Sequence, residues 1–141
     1  MNRDVLFEED DVFMRLNEND VLVSVETRDA EELNLTGCDV KGIGPESCKD
    51  MKNLSRVIIP EGVLEIGMQS FYGCPIEKLE LPHSLSKVGS QAFWGIKTDI
   101  IQYAGSKSDF LAVIQNSGGD IFGKSVVLNC CDGDLSLDYG K

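Results

Sequence analysis

Two stretches of this chain superimpose at a constant offset of 22 residues, and such an offset dictates a stack of like coils. Residues 54–73 are followed by residues 76–95, with Val57 matched by Leu79, Ile59 by Leu81, Pro60 by Pro82 and Val63 by Leu85. Ile66 is matched by Val88, Gly67 by Gly89, Phe71 by Phe93 and Gly73 by Gly95. One copy cannot hide its apolar side chains from water, whereas several copies piled together share a dry interior. Stacks of this kind build binding surfaces far more often than reaction centres.

The period runs outwards more faintly. Leu33 and Leu35 precede Val57 and Ile59 by 24 residues, and Val40, Ile43, Gly44 and Ser47 precede their counterparts by 23. Cys48 stands where Phe71 stands. Ile101 and Tyr103 fall 22 after Leu79 and Leu81, and a strand-like run over 126–130 closes the series. Each central repeat predicts a short strand (56–59, 78–81) ended by Pro60 or Pro82, where the ladder no longer needs a donor. The arc from Val63 to Phe71 is expected to return through a turn or short helix, with Gly67 and Gly89 permitting close approach of neighbouring coils. Leu54, Val57, Ile59, Val63, Ile66 and Phe71 are expected to point inwards.

Residues 12–16 and 21–25 flank Asn17-Glu18-Asn19-Asp20 and predict a β-hairpin. Val21, Val23 and Val25 would form its apolar face and cover the open edge of the first coil. Residues 1–11, mostly charged, are expected to be loosely held. Towards the C-terminus, Ser106 or Ser108 can cap a short helix whose Phe110, Val113 and Ile114 face inwards. Gly118-Gly119 reads as a loop. Asp132-Gly133 predicts a type I′ turn in a closing hairpin.

Ile59-Pro60, Val63, Ile66-Gly67, Phe71, Gly73-Cys74, Leu81-Pro82, Leu85, Val88-Gly89, Ala92-Phe93 and Gly95 together resemble the BspA-like leucine-rich repeat family. The tail from Ile101 and the stretch from Val126 to Leu135 resemble its closing segment, so the likeness spans roughly residues 31 to 137. It implies an α/β, β-rich fold: a short leucine-rich-repeat solenoid of parallel strands, with an N-terminal hairpin cap and a C-terminal helix plus hairpin cap. The expected division is 1–30 for the acidic segment and hairpin, 31–105 for the repeats and 106–141 for the C-terminal cap, in one folded domain. Family members are repeat scaffolds with varied partners, many of them exported surface proteins. This chain departs from them in its length and its start.

The net charge of −11 is unevenly spread. Residues 1–39 hold 12 acidic and 3 basic residues, whereas residues 40–105 hold 7 of each. The negative field therefore belongs to the N-terminal segment. Direct nucleic-acid binding, which needs a basic patch, is disfavoured. No apolar run reaches the ~20 residues of a membrane span. The start lacks a basic stretch followed by an apolar one, so the chain is expected to be cytoplasmic.

Chemistry is sparse. The five cysteines (Cys38, Cys48, Cys74, Cys130, Cys131) form no C-x-x-C pair, and His83 is the lone histidine, so neither metal nor cofactor is expected. Cys48 and Cys74 suit small buried apolar positions, and Cys130-Cys131 should split between core and surface. His83 reads as a surface loop residue. Asp132, Asp134 and Asp138 lack the rest of a calcium loop and fit a hairpin turn better. Tyr72 and Trp94 are expected outside the arc, as packing against a neighbouring coil or as contact anchors.

A non-enzymatic protein-binding module is the reading that results. One surface for it is acidic: Glu8, Glu9, Asp10, Asp11, Glu18, Asp20, Glu26, Asp29, Glu31 and Glu32. These carboxylates would replace phosphates on the basic surface of a nucleic-acid-binding protein or nuclease, as an anti-CRISPR or other phage anti-defence inhibitor does. The alternative is an adhesion or scaffold module binding a protein through the alternate strand residues Arg56, Ile58, Lys78, Glu80, Ile100 and Gln102. Asn34, Thr36, Ser125 and Val127 would extend that face, with Ile58 beside Ile100 as its apolar centre.

Overall fold

A computed structural model describes residues 3–7 and 12–138, with side chains from residue 12 onward. In chain order the elements are β1 (Arg3–Phe7), β2 (Val12–Leu16), β3 (Val21–Val25), β4 (Glu32–Asn34), β5 (Gly42–Ile43), β6 (Arg56–Ile58) and β7 (Glu65–Ile66). Then follow β8 (Lys78–Leu81), β9 (Lys87–Val88), β10 (Ile100–Tyr103), α1 (Lys107–Asn116), β11 (Val126–Cys130) and β12 (Gly133–Leu137). They form a β-rich parallel solenoid of about 4 turns with one helix.

The 22-residue offset becomes strand register. Val57 pairs with Leu79, and Gln102 with Glu80, so equivalent aliphatic residues stand on adjacent parallel rungs. The order β12-β11-β10-β8-β6-β4 makes one six-stranded sheet. The arc between Val63 and Phe71 returns through a turn, as expected, but a two-residue strand precedes that turn. β5, β7 and β9, two residues each, join β1, β2 and β3 in a second six-stranded sheet of order β1-β2-β3-β5-β7-β9. Coil approach explains it: a Cβ on Gly67 would lie 2.5 Å from the Pro45 nitrogen, and one on Gly44 would lie 2.6 Å from the Leu22 oxygen. Hydrogen alone fits there, which brings the short segments within ladder distance.

Between the sheets lies one apolar interior. Leu54, Val57, Val63 and Phe71 are fully buried, as are Val88 and Phe93 in the following coil. Phe71, Phe93 and Phe122 stack at successive centroid spacings of 5.2 and 5.8 Å, and Cys48 fills the same column one coil earlier. Tyr72 stacks on Trp94 at 6.3 Å, with the Lys49 ammonium 5.5 Å from the Tyr72 ring centre. Those two aromatics therefore pack coil on coil. Between coils the arcs also exchange backbone bonds: the N–H groups of Gln69, Phe71 and Gly73 donate to Ser90, Ala92 and Trp94.

Three expectations about the ends are corrected. The N-terminal hairpin forms, but its apolar face is Leu22 and Val25. Pairing slips from Arg15–Ser24 to Leu16–Leu22, which bulges Val23 outwards to 40% exposure while Leu22 and Val25 are fully buried. The hairpin does cover the open edge of the first coil, as expected, because β3 pairs in parallel with β5. Residues 3–7, expected to be loosely held, are the strand β1 paired antiparallel with β2. At the other end, the closing turn is centred on Cys131 and Asp132, since Cys130 pairs with Gly133. Asp132 is not among the residues with positive φ, which a type I′ turn needs at both central positions; Gly133 takes φ +126 as the first residue of β12.

The helix is capped by Ser106, whose hydroxyl accepts from the Asp109 N–H while Asp109 accepts from the Ser106 N–H. Phe110 and Val113 are buried, and Ile114 packs half-buried against the core. The last turn lies over β9, where the Ser117 hydroxyl accepts from the Val88 N–H.

Candidate functional site

Side chains alternate across a strand, so in the β4–β12 sheet the residues flanking the core positions must face outwards. Arg56, Lys78, Glu80, Ile100 and Gln102 are exposed and Ile58 is half-buried. Pairing sets them in rows. Glu32, Arg56 and Lys78 are direct cross-strand neighbours, and so are Asn34, Ile58 and Glu80. Gln102 continues the second row to Asn129, and Ile100 pairs with Val127. Thr36 lies beyond β4 and Ser125 before β11, so the sheet does not carry them.

The expected apolar centre of Ile58 beside Ile100 does not form. β8 runs between their strands and puts Glu80 next to Ile58. Ile100, 52% exposed, has Val127 as its apolar neighbour instead. A groove of about 390 Å³ opens beside it, lined by Lys78, Glu80, Thr98, Ile100 and Gln102 among others. The face thus offers one exposed aliphatic side chain in a mixed-charge, amide-rich surround.

Of the acidic positions, Glu8, Glu9, Asp10 and Asp11 lie outside the described residues. The others do not converge. Glu18 and Asp20 sit on the β2–β3 turn, whereas Asp29, Glu31 and Glu32 surround a polar recess of about 460 Å³ with Val12, Ser55 and Arg56. Val12 and the turn are at opposite ends of β2. Glu26 pairs with Arg15 at 3.0 Å, and Glu32 lies 3.7 Å from Arg56. Arg28 is used internally: its guanidinium donates to the carbonyls of Val25, Ser47 and Lys49, standing in for the backbone donors a preceding coil would supply.

The lone histidine has a partner that the linear sequence hides. His83 is exposed after Pro82, as expected, yet its Nε2 lies 2.9 Å from Asp109 Oδ2. Hydrogen bonds from Ser106, and then the His83 charge, hold the Asp109 carboxyl below the usual range. Beside them the Tyr103 hydroxyl is buried without a hydrogen-bond partner, and burial followed by the Asp109 charge pushes it up to about 12. The arrangement pins the helix start to the β8 coil and positions no nucleophile. Cys48 and Cys74 are buried thiols raised to about 12 and about 11, chiefly by burial. Cys130 is half-buried and Cys131 exposed.

Among the described residues, no group of three or more His, Cys, Asp or Glu side chains could hold a metal ion, and no helix is long and apolar enough to cross a membrane. The sequence matches the family described as BspA type leucine rich repeat region (6 copies) over residues 30–112. That match covers more than half of the chain, which belongs to this family. No curated protein and no solved structure matches it. Solenoids of this class are protein-binding modules and typically non-enzymatic scaffolds.

Proposed function

We propose that the chain is a cytoplasmic scaffold module that binds a protein through the outward face of the β4–β12 sheet, centred on Ile100 and including Arg56, Ile58, Lys78, Glu80 and Gln102. The observation that carries this reading is the exposed Ile100 at the lip of a groove on a continuous six-strand surface. An aliphatic anchor within a polar rim is the usual anatomy of a contact patch. Photo-crosslinking tests it, with a benzophenone amino acid placed at Ile100 or at Leu64, which is 51% exposed beside the other sheet. A discrete adduct from Ile100 in the native host, absent from Leu64, is the expected result. Adducts from Leu64 alone would refute the reading.

A second reading rests on charge. Residues 1–39 carry a balance of −9, and Glu18, Glu26, Asp29 and Glu31 are exposed. Such a segment would dock on the basic nucleic-acid-binding surface of a nuclease or similar protein and block it, as an anti-CRISPR or other anti-defence inhibitor. Binding would then be steered by charge and weaken steeply with salt. An affinity for candidate nucleases that ignores salt would exclude it.

A further inference from the structure

Among the described residues the stack closes at its C-terminal end on a strand edge, and its geometry differs from that of the strand face. β12 is the last strand of its sheet. The Val127 N–H donates to the Asp99 carbonyl on the β10 side, so Val127 and Asn129 direct their backbone groups towards β10. Val126, Leu128 and Cys130 must therefore bond to their partners Leu137, Leu135 and Gly133. The N–H and C=O groups of Asp134 and Ser136 are thus turned outwards, with no partner among the described residues.

Beneath this edge the core runs out. Leu135, Leu137 and Ile114 are only half-buried although they pack against the interior. With Ile121 and Phe122, the last ring of the phenylalanine column, Ile114 and Leu137 line an open groove of about 340 Å³. One further strand beside β12 would pair the orphan backbone groups and seal the groove with alternate side chains, as a following coil would.

Charge says what kind of strand fits. Asp120 and Asp138 stand on the rim of the groove, and Asp134 projects from the edge itself. Lys124, the cation of that lining, is spent elsewhere: its ammonium is 2.7 Å from Asp99 and donates to the carbonyls of Ile96 and Lys97. Lys107 lies at the Gly133 end of β12, away from the groove. We propose that β12 receives an extended segment of a partner protein in which apolar and basic residues alternate. Its apolar side chains enter the groove over Ile121 and Phe122, and its basic ones meet Asp120 and Asp138. A second copy is a poor occupant, because β12 against β12 would set Asp134 near its own copy with no cation in either strand.

A fluorescent heptapeptide of alternating valine and lysine, read by anisotropy against the full chain, tests this. Binding is expected, and replacing the peptide's lysines by glutamates should weaken it at least about tenfold. Ser136→Pro removes an outward donor at a position where an edge strand tolerates proline, and should abolish binding without changing the circular dichroism spectrum. The double variant Asp120→Lys, Asp138→Lys should weaken binding by a similar factor and reverse the preference between the two peptides. Equal affinity for both peptides, or unchanged binding by Ser136→Pro, would overturn the proposal. So would binding that appears only after residues 139–141 are removed. A concentration-dependent dimer abolished by Ser136→Pro would name a second copy as the occupant and overturn it too.

Discussion

Phe71 and Phe93 stack with their ring centroids 5.2 Å apart and their planes within 4°, one coil directly over the next. Phe93 also meets Phe122 at 5.8 Å, so it is the middle member of the column and has ring contacts on both sides. Phe93→Ala should therefore destabilise the chain by about 3–5 kcal/mol, the range for emptying a large buried aromatic site. Chemical denaturation followed by circular dichroism reads this as a lower midpoint; a loss within about 0.5 kcal/mol would mean the column bears no weight.

The same column shows what the sequence disclosed and what it hid. Phe71 and Phe93 were legible because they recur at the repeat spacing, whereas Phe122 was not, since the loop carrying it falls outside the period. β5, β7 and β9 escaped notice for a related reason. A strand of two residues shows no alternation, and its pairing follows from how closely Gly44, Gly67 and Gly89 let coils approach. The outward row of Lys78, Glu80, Ile100 and Gln102 followed from alternation alone. Its apolar centre was misjudged, because adjacency across a sheet depends on strand order and β8 intervenes between Ile58 and Ile100. The His83–Asp109 contact joins a repeat corner to a helix that obeys no repeat, so no spacing could announce it.

Gly67→Ala should cost up to about 3 kcal/mol, because its Cβ would meet the Pro45 backbone, which cannot swing aside as a side chain can. Gly118→Ala is the control, with nothing within 4 Å of the added carbon and an expected change within about 0.5 kcal/mol. Thermal melting of both variants gives the comparison. Equal melting temperatures would contradict the close coil approach.

Acid should loosen the helix start. The Asp109 carboxyl is held low, chiefly by the Ser106 hydrogen bonds, so its share of stability is present above the usual aspartate range and is lost as pH falls through the folded value. Ser106→Ala should remove about 1 kcal/mol of capping and move the Asp109 titration upwards. Carboxyl chemical shifts followed across an acid titration measure this; an unmoved Asp109 midpoint would sink the capping-box explanation.

Thiol labelling should separate the cysteines by burial. Cys48, raised to about 12, and Cys74, raised to about 11, remain protonated thiols in the folded chain. Their neutral forms favour the fold below the ordinary thiol value, and that contribution fades as pH climbs towards the raised values. In iodoacetamide at about pH 8, mass spectrometry should find Cys131 alkylated first and Cys48 and Cys74 protected until denaturant is added. Fast labelling of Cys48 in the native chain would contradict its place in the core.

The proposed role of the strand face meets its most direct test in calorimetry with the partner recovered through the Ile100 crosslink, comparing two charge insertions at similarly exposed aliphatic residues. Ile100→Glu should weaken that complex at least about tenfold, while Leu64→Glu, beside the opposite sheet, should leave it unchanged. Full affinity in Ile100→Glu, with the loss appearing in Leu64→Glu, would contradict it.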